Sequence, residues 1–157
     1  MRVIGTSSET WIARPPRDVF RFVTTPDNWV RCHPVTASVR GETRRPRMAG
    51  THWIEVIQSD PQAPAFEAEW WATIAAPHRL WVIETERLAF DGLRCRIVYN
   101  FRDEAGGTRF QRDMVCLVSD DIRLGPPVEA ALAVPDPHDL YLERLKQKLE
   151  RANSGEL

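Results

Sequence analysis

The sequence is poor in the features that most often announce a function. Among its 157 residues only Cys32, Cys95 and Cys116 are cysteines, and no two are spaced C-x-x-C. An odd number at irregular spacing gives no disulfide framework, so reduced, packed thiols are expected. His33, His52, His78 and His138 are scattered, without H-x-x-x-H or His/Cys ligand spacing, and no metal site is expected. G-x-S-x-G, P-loop and G-x-G-x-x-G motifs are all missing, which removes those nucleophile and nucleotide signatures, and no cofactor is expected. The formal net charge is −1, so no global field draws the chain to nucleic acid. Arg40, Arg44, Arg45 and Arg47 cluster without the interleaved aromatics on which bases stack, and read as a solvated loop. No apolar run approaches the ~20 residues of a membrane span, and the first residues lack a signal-peptide apolar core. These absences lead to an expected cytoplasmic protein with no membrane span and no nucleic-acid partner, acting as a monomer or homodimer.

What is present describes an ordinary globular chain, 43% hydrophobic and 27% charged. That length suits one domain over residues 1–157, able to bury roughly 70% of its unfolded surface. Alternation over residues 3–13 reads as a strand. Pro16 then opens a helix, because its missing N–H would be unpaired there anyway, and Val19, Phe22 and Val23 form its apolar stripe. Thr25-Pro26-Asp27 repeats the start signal for a second short helix, which Pro34 stops at His33. Six further strands are expected at 36–41, 51–59, 66–76, 80–90, 93–102 and 108–118. The D-G and E-A-G-G breaks look like hairpin turns, and connections this short imply antiparallel pairing. Residues 128–134, bracketed by prolines, allow a helical turn or two. From Asp136 and Pro137 the period changes, and Leu142, Leu145 and Leu149 mark one face of a long final helix. The expected order is β-α-α-β-β-β-β-β-β-α, an α+β architecture in which the last helix covers one face of a seven-stranded sheet.

The stretches I-A-R-P-P-R-D-V-F-R-F-V-T-T-P-D-N-W (12–29), A-G-T-H-W (49–53), G-G-T-R-F (106–110) and Y-L-E-R-L-K-Q-K-L-E (141–150) resemble the START-like, helix-grip superfamily (SRPBCC). The likeness is strongest to its polyketide cyclase and dehydratase branch. It implies a curved antiparallel sheet gripping the terminal helix, with an apolar cavity between them. It leaves function open, because the superfamily includes enzymes, carriers, hormone receptors and co-chaperones.

Period 2 assigns the faces. Phe66, Ala68, Trp70, Ala72 and Ile74 share an apolar face, as do Leu93, Cys95, Ile97, Tyr99 and Phe101. Phe110, Met114, Cys116 and Val118 carry Arg112 inward with them. Leu80, Val82, Leu88 and Phe90 carry Glu84 and Glu86. The family pattern G-T-x-W places Trp53 and Glu55 inward. Trp11, Trp71 and Trp81 fall on the outer side, either stacking across strands or marking a contact surface.

The expected cavity face therefore holds Glu55, Glu84, Glu86, Arg112 and Tyr99. Unpaired buried charges cost several kcal/mol, so these groups form an Arg112–Glu pair, lie near water, or line a ligand site. His33 falls where the resemblance puts the cavity mouth, as a surface or capping residue or as a proton relay. Cys32 beside it is a packing thiol whose small size implies a wide mouth. The candidate catalytic set is Glu55, Glu84, Arg112 and His33, with a carboxylate as base and Arg112 and Tyr99 on an enolate oxygen. Trp53, Trp70, Tyr99, Phe110 and Met114 are the candidate ligand contacts. The resemblance also implies an inward arginine on the fourth strand of aromatic-ring cyclases; here that place falls on Ile74. The expected ligand is a hydrophobic small molecule. It is either a polyketide-like carbonyl compound to be cyclised or dehydrated, or cargo for a non-catalytic carrier or sensor. A co-chaperone-like interaction module is the third possibility.

Overall fold

The computed structural model describes residues 1–152. Strand β1 (Arg2–Ile12) is followed by helix α1 (Pro16–Val23), a 3-10 turn (Pro26–Asn28) and the single-turn helix α2 (Trp29–Cys32). Strands β2 (Thr36–Gly41), β3 (His52–Ile57), β4 (Phe66–Ala76), β5 (Leu80–Thr85), β6 (Leu93–Glu104) and β7 (Gly107–Val118) then run in succession. Helices α3 (Pro126–Leu132) and α4 (Pro135–Arg151) close the described chain. The strands form one antiparallel sheet in the order β1-β7-β6-β5-β4-β3-β2. Each strand from β2 to β7 pairs with its sequence neighbour, and β1 returns to pair with β7. This is the helix-grip fold, with α4 held in the concave face through Tyr141, Leu142, Leu145 and Leu149, all buried. No helix among the described residues is long and apolar enough to cross a membrane.

Local chemistry explains the frame. Pro16 and Pro135 sit at the first turns of α1 and α4, where a proline's missing donor is harmless. Asp18 and Asp136 face the positive ends of those helices, and Lys148 and Arg151 the negative end of α4. The β6–β7 hairpin turns through Ala105 (φ 51°) and Gly106 (φ 77°), the two positive angles of a primed two-residue turn. Gly107 follows because there is room for nothing larger. A Cβ there would lie 2.3 Å from the Ile12 carbonyl oxygen and 2.7 Å from the Trp11 ring.

Three sequence expectations fail in the sheet. A bulge between Ala72 and Ile74 pushes Ile74 out to 48% exposure, so the fourth-strand position implied by the resemblance is not an inward one here. Strand β5 has the opposite parity to that expected. Trp81, Ile83 and Thr85 lie opposite the inward-facing Tyr99, Ile97 and Cys95, so Glu84 and Glu86 face outward. There Glu84 accepts from Arg96 Nε at 2.6 Å, and Glu86 pairs with Arg94 at 3.1 Å. The run Leu-Trp-Val-Ile is apolar on both faces, which leaves its period mute. After Thr85 the chain leaves the strand, and Leu88 bridges back to Ala68 to reach the interior.

Trp81 is thus an interior residue and not an outward one. It stacks on Trp53 at 5.7 Å and 8°, and its Nε1 donates to the Arg47 carbonyl. Trp71 does face out, stacked on His52, and Trp11 lies half-buried under Lys146. The third failure concerns the thiols. Cys95 and Cys116 are directly opposed on β6 and β7, with Cα atoms 4.1 Å apart, and are joined as a disulfide. Cys32 alone is a free thiol.

Candidate functional site

Between the sheet and α4 lies a small, partly enclosed cavity, bounded by α2, β3, β4, β6, β7, α3 and α4. Its space for the centre of a water molecule is about 20 Å³, roughly the room one water needs. The wide mouth expected from Cys32 is not found. That residue is 1% exposed and packed, and burial pushes its thiol up to about 11 against the pull of Lys148, Arg31 and Arg144.

Arg112 arrives from β7 by alternation with Phe110 and Met114. It is 5% exposed, and among the described residues no carboxylate is ion-paired with it. Nη1 lies 2.8 Å from Nδ1 of His138. A guanidinium can only donate, so Nδ1 accepts, and the proton of neutral His138 sits on Nε2, directed at the Leu132 carbonyl at 3.2 Å. Burial and the neighbouring Arg112 together lower the His138 pKa to about 4. The guanidinium lies between two aromatic faces, 5.7 Å from the Tyr99 ring centre and 5.6 Å from that of Tyr141. These are the only two tyrosines in the chain. Arg112 Nε is buried without a partner.

Glu55 arrives from β3, 5% exposed. Its two oxygens accept separately, from Thr36 Oγ1 at 2.5 Å and Trp70 Nε1 at 3.0 Å. Burial raises its pKa, opposed by those two hydrogen bonds and by Arg112. The expected alternative of an Arg112–Glu ion pair is therefore not the arrangement found: acid and base face one cavity, each held by other partners.

His33 is not at the surface. It stacks on Tyr141 at 4.8 Å and meets His138 edge-on at 6.1 Å. Its Nδ1 accepts from the Val35 backbone N–H at 3.3 Å, which leaves the ring proton on Nε2. Burial first, then Arg112 and His138, lower its pKa well below the ordinary value. Both histidines are thus neutral rings.

Of the residues expected from sequence, Glu55, Arg112, His33, Trp70, Tyr99 and Met114 line this one cavity. Glu84 does not, for the parity reason given above. Trp53 and Phe110 also stay outside it. Trp53 belongs to a tryptophan cluster with Trp29 and Trp81, and Phe110 packs on Tyr99 and Phe101. His138 and Tyr141 were missed. The signal existed, since both precede Leu142, Leu145 and Leu149 on the same stripe of α4, but a histidine at the head of an apolar stripe gives no hint of what it meets.

Comparison with known proteins places this geometry in a lineage. Residues 4–150 match the family described as polyketide cyclase/dehydrase and lipid transport. The chain is similar to penitrem biosynthesis cluster 1 protein I of Penicillium ochrochloron, 28% identical over 156 residues, covering 96% of this chain and 99% of that protein. Among solved structures it resembles the di-domain aromatase/cyclase BexL of the BE-7585A biosynthetic pathway. That match has a TM-score of 0.66 and 16% identity, over 96% of this chain and 51% of BexL. It also resembles Ara h 8.0201, with a TM-score of 0.64 and 12% identity over 94% of this chain and 98% of that one. At such identities the solved structures speak for the fold alone. The family match spans the sheet, the gripped helix and every cavity residue named above, and on it the chain belongs to the polyketide cyclase-like branch of the SRPBCC superfamily.

Proposed function

We propose that residues 1–157 act as a single ligand-binding domain whose water-sized cavity widens, by displacement of its lining side chains, to admit an apolar, carbonyl-bearing small molecule and promote its cyclisation or dehydration. One observation carries the reading: a buried carboxylate and a buried guanidinium face the same cavity without neutralising each other. An ion pair placed for stability would join them, whereas a catalytic acid–base pair is kept apart until substrate lies between.

In this reading Glu55, its basicity raised by desolvation, removes a proton from the carbon beside a carbonyl. The enolate oxygen that forms is held by Arg112 and Tyr99. The enolate carbon attacks a second carbonyl of the same molecule, forming a carbon–carbon bond. The resulting alkoxide takes a proton from His33 Nε2–H or a tyrosine hydroxyl. In the loss of water the deprotonated donor takes a second proton from the same carbon as the double bond forms, and protonated Glu55 gives its proton to the departing hydroxyl, so both groups return to their starting states. The placing of Trp70 and Met114 on the cavity wall supports their role as apolar contacts.

A non-catalytic carrier is the second reading, favoured by the hydrogen bonds that already occupy both oxygens of Glu55. Incubation with a short poly-β-ketone thioester, with the ring-closed, water-depleted product followed by mass spectrometry, separates the two. Enzyme-dependent product that disappears in Glu55→Gln and Arg112→Met supports catalysis. Unchanged turnover in both variants sinks the mechanism.

A further inference from the structure

The hydrogen-bonding capacity of the cavity is lopsided. Of the five N–H donors of Arg112, one is spent on His138. Nε is buried and unpartnered, and besides His138 the guanidinium meets only the Tyr99 hydroxyl. His33 Nε2–H is left over once Nδ1 has accepted from Val35. The hydroxyls of Tyr99 and Tyr141, on side chains 1% and 2% exposed, belong to the same wall, and that of Tyr99 takes a hydrogen bond from Arg112, which leaves its own proton to give. Each of these groups can give a proton to a ligand. The acceptors are fewer: the lone pairs of His138 Nδ1 and His33 Nδ1 are used, and both oxygens of Glu55 already accept.

The charges are lopsided in the same sense. Arg112 is permanently positive, no carboxylate is ion-paired with it, and both histidines beside it are neutral. Stacking on two tyrosine faces softens an unpaired buried cation but does not neutralise it. Glu55, the one carboxylate among the lining residues, accepts from Thr36 and Trp70, so Arg112 Nε has no negatively charged acceptor of its own.

We infer that the polar end of the ligand is an oxyanion — a carboxylate, or an acidic enol that binds ionised — seated against Arg112 Nε and Nη2 and the hydroxyls of Tyr99 and Tyr141. Alcohol and ammonium heads are disfavoured: the neutral oxygen of the first accepts more weakly than an anion, and the second repeats the charge already present. This rests on the reading of the cavity as a ligand site and narrows its substrate class. The acid and its conjugate ring-closure chemistry are separable, because the selection is a property of binding and does not need turnover.

Three probes of one shape test it by calorimetry and by chemical-shift changes in the tyrosine and tryptophan resonances: 2-naphthoate, 2-naphthalenemethanol and 2-naphthylmethylamine. The expected order is naphthoate over the alcohol by about tenfold or more, the scale of a charge-assisted pair against a neutral one, with the amine not binding. In Arg112→Met the preference for naphthoate collapses. In Tyr99→Phe, where the guanidinium remains, it weakens several-fold without inverting. Alcohol binding equal to naphthoate, naphthoate preference surviving in Arg112→Met, or no naphthoate binding by the folded protein would each overturn the inference. Failure of catalysis with the binding order intact would instead strike only the cyclase reading.

Discussion

Arg112 Nη1 and His138 Nδ1 meet at 2.8 Å, and through this contact the charge of one residue fixes the protonation state of the other. A protonated His138 would have no lone pair to offer and would face a guanidinium at hydrogen-bonding distance. His33 is edge-on to it, with Tyr141 stacked against His33, so both histidines must stay neutral for the cavity to hold together.

Stability should therefore fall in mild acid. The folded pKa of His138 is lowered to about 4 and that of His33 also falls, below the ~6.5 of an unfolded histidine. The unfolded chain binds protons first, so the contribution is fully present above pH ~6.5 and is lost as the pH drops towards 4. For His138 alone the loss approaches roughly 3 kcal/mol. Urea denaturation at intervals between pH 7.5 and 4.5 should show the decline. His138→Gln, which keeps an acceptor for Arg112 and a donor for Leu132, should flatten much of it. A flat profile in the parent protein would refute the neutral-histidine assignment.

Replacing the arginine should separate stability from function. Arg112→Met removes an unpaired buried cation and fills its place with an apolar side chain, a kind of change that is often neutral or stabilising by about 1 kcal/mol or more. Thermal melting should show Tm unchanged or raised, while ligand selection and turnover are lost. A steep fall in Tm would mean that the residue is chiefly structural.

The Cys95–Cys116 link closes a loop of 21 residues. Chain-entropy reasoning gives it about 3 kcal/mol of stabilisation, less to the extent that the hairpin persists in the unfolded chain. Thiol titration of the denatured, unreduced protein should find one reactive thiol, Cys32. Reduction should raise the count to three and lower Tm, and Cys95→Ala/Cys116→Ala should melt with the reduced protein. Three thiols without reduction would show that the pair is open.

The β6–β7 turn offers opposite effects two residues apart. Ala105 holds a positive φ of 51°, so Ala105→Gly should stabilise by about 0.5–1 kcal/mol. Gly107→Ala should destabilise by about 2 kcal/mol or more, since its Cβ meets the Ile12 carbonyl and the Trp11 ring. Equilibrium denaturation of the two variants checks both signs.

Much of the fold was legible because period, turn and proline signals agree at many points along the chain. Strands β2 and β4 have the expected bounds, and Glu55, Tyr99, Arg112 and Met114 reach the interior as alternation, with the family pattern for Glu55, indicates. Ile74 was misplaced because of a bulge on β4, and Glu84 and Trp81 because of an apolar run with no period and a strand that stops at Thr85. The disulfide could have been read, since counting back from the Ala105-Gly106 turn sets Cys95 squarely opposite Cys116. The meeting of His33, His138 and Tyr141 could not, because it depends on how α4 sits in the sheet, and no local pattern encodes that.

The chain spends both of its tyrosines on the same guanidinium. Biosynthetic incorporation of 3-fluorotyrosine would consequently give a fluorine spectrum of two resonances, neither arising from the surface. Every shift, broadening or new line on adding a compound would report from within the cavity, with no background to subtract. The composition has in effect labelled the site in advance, and a ligand of any kind could be found by screening mixtures against two peaks.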